Sequence, residues 1–478
     1  MTQSHRGMRR IVTPARLNRT ISSTERRCPL PIETPTLVKP EVRGSAAYST
    51  LISMVAALGA VMFGFDIAIV SGAAPFLQVH FALNDIQFGW SASSLLFGCM
   101  IGALGIGRIA DRFGRKRTLI AIALVFAVTS VLSGIAPTFT LFVSARIAGG
   151  LAVGAASMVA PLYIAEAAPY AIRGRMVALN QLGITFGIAV SYLINYVLRD
   201  IGPNNWRWMF ATGAIPSVAF FVLLFVVPES PRWLFHNGRR VEAEELLIRI
   251  GGSESARREL TVMNMPQSQS TDLWRRPNRR VMIVGILLAA LLQFSGINTV
   301  IEYAPIILRS GGNSLDTAIF QTFIIGLINF LATFVALFTV DRLGRRFLYI
   351  AGSCGMTVCL IGMSIGFATG HMHGIIGLLL ILAFILCFAS CIGPVFWILM
   401  AEIFPSRIRG IGMSIAVFVQ WASDFVVVLL FPSLLKLLGG ALTFGLLALI
   451  AFGMIFVAWT MIPETTGKTL EQIEQHWV

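Results

Sequence analysis

The sequence predicts an all-α membrane protein: twelve transmembrane helices in two six-helix pseudo-symmetric bundles, with a small cytoplasmic helical insert between them. Three observations carry this. Hydrophobic residues fill 56% of 478 positions and charged residues only 13%, too few to clothe a soluble surface. The apolar residues fall in twelve blocks, each near the roughly 20 residues that a helix needs to cross a hydrocarbon core. The polar motifs between those blocks recur at one spacing along the chain.

The blocks, in order, set out the organisation. Residues 1–48 are polar, Arg-rich and poor in acids, without an apolar core and cleavage site. They read as a disordered cytoplasmic tail, with an organelle transit peptide as the other reading that this composition permits. Blocks 49–76, 88–109, 118–136, 140–164, 176–198 and 208–227 form a first bundle over 49–227. In lipid each segment must satisfy its own backbone polar groups, so these runs are helices. Gly98, Gly102 and Gly105 have the small-residue spacing that lets helix backbones approach closely. A polar linker follows over 228–280, with Glu- and Arg-bearing helical turns and a basic run from Arg275 to Arg280. Blocks 281–308, 318–340, 347–369, 374–400, 411–435 and 441–462 form a second bundle over 281–462, and 463–478 is a short cytoplasmic tail.

The net charge of +14 would suggest nucleic acid in a soluble chain, but its distribution excludes that. Of 37 Lys and Arg, 32 fall in the tails and the even-numbered loops. Arg199, Arg207, Arg309 and Lys436 lie near the opposite side, and Arg146 lies inside a helix. This positive-inside pattern places both termini in the cytoplasm, with the plasma (inner) membrane as the expected location. The six cysteines, five of them in apolar blocks, show no metal-ligand spacing and imply no disulfide. No nucleophile–base constellation, metal cluster or phosphate-cradling loop points to an enzyme, and no cofactor is expected.

The halves repeat. Gly107 to Lys116, with Asp111, Arg112, Gly114 and Arg115, follows the second block. Asp341, Arg342, Gly344 and Arg345 follow the eighth, with the Asp residues 230 apart. Glu166, Pro169, Arg173 and Gly174 recur as Glu402, Pro405, Arg409 and Gly410 at an offset of 236. Pro228-Glu229-Ser230, with Arg232 after it, recurs as Pro463-Glu464-Thr465 at 235. A parallel repeat of this kind implies two bundles rocking about a shared central site. The interleaved acids and Arg forks are expected to form a cytoplasmic gate, linked when the bundles close there and released when they part.

These segments resemble the sugar porter family of the major facilitator superfamily. The resemblance runs from about residue 48 to the end. Arg146-Ile147-Ala148-Gly149-Gly150, Gln293 to Asn298 and Gly393-Pro394 with Trp397 join the motifs above in carrying it. It implies uptake of a monosaccharide or polyol by alternating access, and because each chain holds both halves it is expected to function as a monomer. It also implies sugar contacts at Phe63, Gln181, Gln293, Asn298, Asn329, Trp397, Gln420 and Trp421. Amides suit sugars because each both donates and accepts, and aromatic faces suit the C–H surface of the ring. The chain departs from the family at Leu292, Glu302 and Asp424, losing an amide and gaining two acids.

Glu302 is four residues after Asn298 and Asp424 four after Gln420, so each shares a helical face with a sugar contact. Both are expected to face the cavity and shape substrate choice. Glu302 also lies 236 residues after Asp66, as the second half's counterpart of that acid. If protonated, it donates to a hydroxyl; if ionised, it favours an amino group. In proton-coupled members of the family an Asp and an Arg at the places of Asp66 and Arg146 form a pair, which makes the proton the coupling ion. Beside Arg146 the carboxylate keeps its charge, and with that partner withdrawn it takes up a proton. The other readings are a carrier of cationic or aminated substrates, suggested by the two extra acids, a passive facilitator, and a non-transporting nutrient sensor.

Overall fold

Apolar runs in a bilayer gain most by bonding their own backbone, and the spans follow the twelve blocks closely. The computed structural model describes residues 44–169, 172–264, 276–405, 408–465, 473 and 477. The expected N-terminal tail and much of the C-terminal tail therefore lie outside the described residues, as does part of the basic run. So do the side chains of Arg173, Asp341 and Arg409.

The first half holds α1 (Ala46–His80), α2 (Asp85–Phe113), α3 (Arg115–Ile135), α4 (Phe139–Ala167) and α5 (Arg173–Leu198). Its sixth span is divided into α6 (Asn205–Ala211) and α7 (Ala214–Leu223). The linker carries α8 (Pro231–His236) and α9 (Arg240–Asn264). There Arg239 grips Glu242 through Nε at 2.7 Å, and this hydrogen bond holds the Glu242 carboxyl below its usual range.

The second half opens on a broken span, α10 (Arg276–Phe294) and α11 (Ile297–Ser310), parted at Gly296 with φ 81°. Then come α12 (Leu315–Leu343) and α13 (Arg345–Ala368). The tenth span is α14 (Gly374–Cys387), a π-helical turn (Phe388–Ile392) and α15 (Gly393–Ile403). Such turns are frequent at functional sites. The last helix, α16 (Arg409–Met461), is too long for one crossing, and Gly439 at φ 72°, ψ 169° divides it into the eleventh and twelfth spans. By length and apolarity, eleven helices can cross a membrane among the described residues, and this division makes twelve spans.

Within the first half α1 packs on α4 and α5, and α2 on α4; within the second, α16 packs on α10 and α13. The halves meet where α2 runs along α16, α5 along α12 and α1 along α11. Gly98 and Gly102 explain the close approach of α2 to α4. A Cβ at either would lie 2.1 Å or 2.3 Å from the Ile147 or Leu151 carbonyl oxygen. Gly105, expected to act with them, has open space around it.

The repeated motifs give matching local structure. Gly114 (φ 100°) ends α2, and the Glu229 carboxylate accepts from the first N–H groups of α3, Arg115 at 2.9 Å and Lys116 at 3.0 Å. Gly344 (φ 88°) ends α12, and Glu464 accepts from Arg345 at 3.1 Å and Arg346 at 3.2 Å. Each acid thus meets orphan donors and the positive end of a helix dipole.

Candidate functional site

A cavity lies between the halves, walled by Phe63 of α1, Gln181, Ile184, Thr185 and Ile188 of α5, Leu292 and Gln293 of α10, and Ile297, Asn298 and Ile301 of α11. Asn329 of α12, Phe388, Gly393, Phe396 and Trp397 of the tenth span, and Gln420 of α16 complete it. It leaves about 60 Å³ open to the centre of a water molecule, enough for a few waters at the ~10–15 Å³ each needs, so its walls must part to admit a sugar ring. Gln181, Gln293, Asn298, Asn329 and Gln420 present five amides from five helices, and Asn329 Oδ1 and Gln420 Oε1 have no partner. That chemistry suits a molecule with many hydroxyls.

Seven of the sugar contacts implied by resemblance thus share one wall, and the eighth, Trp421, stands behind it. Its buried ring meets Phe63 edge-on, 5.2 Å between centroids. Glu302 and Asp424, expected on the cavity face, are not among its lining residues, and each is only 1% exposed. Asp424 accepts a 2.6 Å hydrogen bond from Asn298 Nδ2. Leu292 occupies the wall where the lost amide would stand. Thr185, Phe388 and Phe396 of the wall carry no signal in the sequence, since a Thr or Phe in an apolar run looks the same on a wall and in a core.

Asp66 and Arg146 meet in the core of the first half. Arg146 Nη1 bonds the Asp66 carboxylate, and Nη2 donates to the Asp66 carbonyl at 3.3 Å. The guanidinium also lies 5.2 Å over the Phe210 ring. Asp66 sits one helical turn from Phe63, so a shift of the pair moves a residue on the cavity wall.

At the end away from the linker the halves are fastened together. Tyr192 donates to the Ile301 carbonyl at 2.6 Å, Phe88 packs near Tyr303, Lys436 pairs with Asp85 at 2.6 Å and Arg199 with Asp316 at 3.7 Å. At the linker end Arg115 and Arg345 each pair with acids of their own half. Arg115 reaches Asp111 at 2.9 Å and Glu166 at 3.1 Å; Arg345 reaches Glu402 at 3.6 Å. The Ser230 hydroxyl donates to Glu166, and Trp233 Nε1 to the Asp111 carbonyl at 2.9 Å. Arg112 and Arg342 are exposed, Arg232 is half-buried on α8, and Gly107 has open space around it.

Known proteins resemble this chain along most of its length. The family model described as "Sugar (and other) transporter" matches residues 52–477. The arabinose-proton symporter of Bacillus subtilis (strain 168) is 35% identical over 460 residues, covering 93% of this chain and 99% of that protein. The D-xylose-proton symporter of Escherichia coli (strain K12) is 35% identical over 482 residues, covering 91% and 96%. Among solved structures, a partially occluded inward open form of the xylose transporter XylE from E. coli superposes with a TM-score of 0.79, at 35% identity, over 88% of this chain and 100% of that one. The XylE structure bound to 6-bromo-6-deoxy-D-glucose gives the same TM-score at 34% identity, over 90% and 99%.

Proposed function

This chain belongs to the sugar transporter family, and on that premise we propose that it carries a monosaccharide, or a related polyol, inward with protons by alternating access. The observation that carries the reading is the buried Asp66–Arg146 pair one turn from Phe63, on the wall of a cavity lined by five amides. Asp66 and Arg146 couple the proton. Phe63, Gln181, Gln293, Asn298, Asn329, Trp397 and Gln420 hold the sugar, with Trp421 supporting Phe63.

The cycle follows from the chemistry of those groups. With the outer side open, sugar enters and Asp66 takes a proton from external water. The neutral acid loses its ionic hold on Arg146, which frees α1 against α4. The outer contacts then form, and the cytoplasmic pairs Arg115–Glu166 and Arg345–Glu402 belong to the face that now parts. Sugar leaves, the proton follows, and the Asp66–Arg146 bond forms again. The Arg-bearing loops lie on the cytoplasmic side, with both termini, in the plasma membrane. Each chain holds both halves of the cavity and works as a monomer. The acids that suggested an aminated substrate stand outside the cavity lining.

Uptake by proteoliposomes tests this, with L-arabinose, D-xylose, D-galactose, D-glucose, polyols and amino sugars offered with and without an inward proton gradient. Gradient-driven accumulation of a neutral sugar or polyol is the expected result. Equal uptake with and without the gradient would mark a passive facilitator, and accumulation of amino sugars alone would overturn the substrate class.

A further inference from the structure

Glu302 is buried, and neither of its carboxylate oxygens has a hydrogen-bond partner. A bare charge in such a place is costly, and acids inside membrane spans mark functional sites. The charged groups facing Glu302 are Asp424, whose carboxylate is bonded by Asn298 one turn earlier on the same helix, and Arg146 and Asp66. Arg146 is already bonded to Asp66, so three carboxyls share one guanidinium. Among the described residues Tyr192 from α5, Tyr303 from its own helix and Cys99 from α2 are the other titratable groups acting with it, and none of the three brings a cation.

Two carboxyls without a cation of their own hold a proton in common in a low dielectric. The 2.6 Å bond from Asn298 Nδ2 to Asp424 favours Asp424 as the ionised member, which leaves the proton on Glu302. Glu302 also lies under the outer seal. Its neighbour Ile301 receives the Tyr192 hydroxyl, and its neighbour Tyr303 donates to the Val428 carbonyl at 3.1 Å. The helix that carries it is hinged at Gly296 and leaves helical geometry at Tyr303 (φ −114°, ψ 17°). Opening the seal at that hinge brings external water to Glu302. Asn298, at the other end of the chain of contacts, lines the cavity.

We propose that Glu302 and Asp424 form a second proton-carrying site, loaded from the outer side and tied to the sugar through Asn298. It rests on the proton-coupled reading above. Only O–H bonds are made and broken. While the seal is open, a proton passes from external water to the carboxylate pair. After the seal closes, sugar departing from Asn298 frees its Nδ2 to bond Asp424, which favours the ionised pair and weakens its hold on the proton. The proton then passes from the pair through the cavity to cytoplasmic water.

The test uses the full chain in proteoliposomes under opposed proton and sugar gradients, with L-arabinose, D-xylose, D-galactose and D-glucose each offered as substrate. The gradient at which net flux reverses gives the protons moved per sugar. The expected ratio is about two for the wild type and about one for Glu302→Gln, which still accumulates sugar. A ratio of one in both overturns the second site and leaves proton coupling standing. No proton movement in the wild type overturns both, and flux that follows sodium instead of protons does the same. Infrared difference spectra between acid and alkaline buffer need no sugar. A protonated-carboxyl band present in Asp66→Asn and missing in Asp66→Asn combined with Glu302→Gln is expected, and identical spectra of the two overturn the proposal.

Discussion

The Tyr192 hydroxyl donates to the Ile301 carbonyl at 2.6 Å, and this one bond ties α5 of the first half to the broken seventh span of the second. Gly326 makes room for it, since a Cβ there would lie 2.4 Å from the Tyr192 ring. The neighbouring outer pair Lys436–Asp85 is largely exposed and contributes about 0–1 kcal/mol. The buried hydroxyl bond contributes about 0.5–1.5 kcal/mol, and Tyr192→Phe deletes it at nearly constant shape. That change should move the balance roughly 2- to 12-fold towards the outward-open state. Labelling of an Ile306→Cys thiol from outside, in a background lacking the six native cysteines, reads the shift. An unchanged labelling rate would show that the seal does not depend on this bond.

The cytoplasmic arginines, alike in sequence, should differ sharply in effect. Arg115 has a side chain only 9% exposed, shared between Asp111 and Glu166, whereas Arg112 is exposed. Breaking a buried pair strands its partner and costs about 3–5 kcal/mol, against about 0.5 kcal/mol for an exposed surface charge. Arg115→Ala should therefore lower the melting temperature markedly, with Arg112→Ala close to wild type. Thermal unfolding in detergent compares the two. Equal losses would mean that the motif acts by its charge alone.

Much of this architecture was legible because lipid imposes it: twelve apolar runs, positive loops and repeated motifs all survive into the fold. What the sequence hid was depth. Asn298 and Glu302 lie at i and i+4, which puts them on one face, but one turn further along is about 5.4 Å further out. The cavity ends at Ile301, and Glu302 lies beyond it beside the distorted backbone of Tyr303. The acids Glu229 and Glu464 read as gate charges, and their spacing was correct evidence of a repeat. Their bonds to the first N–H groups of α3 and α13 needed the fold, because each partner is more than 100 residues away.

The glycines offer a separate test of that limit. Gly150 faces the Leu95 carbonyl so closely that a Cβ would lie 2.0 Å from its oxygen, while Gly105 on the facing helix α2 meets nothing within 4 Å. Gly150→Ala must push α2 and α4 apart and should destabilise by about 1–3 kcal/mol or more. Gly105→Ala should be neutral or stabilising by up to about 1 kcal/mol, since it stiffens a helix without a clash. Melting temperatures of the two variants check this. A loss for Gly105→Ala would show that its lipid-facing surface meets a partner.

Asp66 gives the decisive measurement, because its role predicts both a sign and a size. Asp66→Asn keeps the shape of the side chain and the Arg146 bond to the backbone carbonyl at 3.3 Å, but removes the carboxylate that gains and loses the proton. A proton moving down a gradient of one pH unit releases about 1.36 kcal/mol, enough for roughly tenfold accumulation per coupled proton. Wild-type accumulation should therefore rise as external pH falls at fixed internal pH, and collapse when the gradient is dissipated. In Asp66→Asn accumulation should lose about one tenfold step per pH unit, keeping at most the share of the Glu302–Asp424 site, while exchange of labelled for unlabelled sugar continues, since none of the amides on the wall has changed. Accumulation undiminished in the mutant would remove the proton-coupling role from Asp66. Loss of exchange as well would show instead that the pair is needed to hold α1 against α4, and that Phe63 reaches the sugar only while it does.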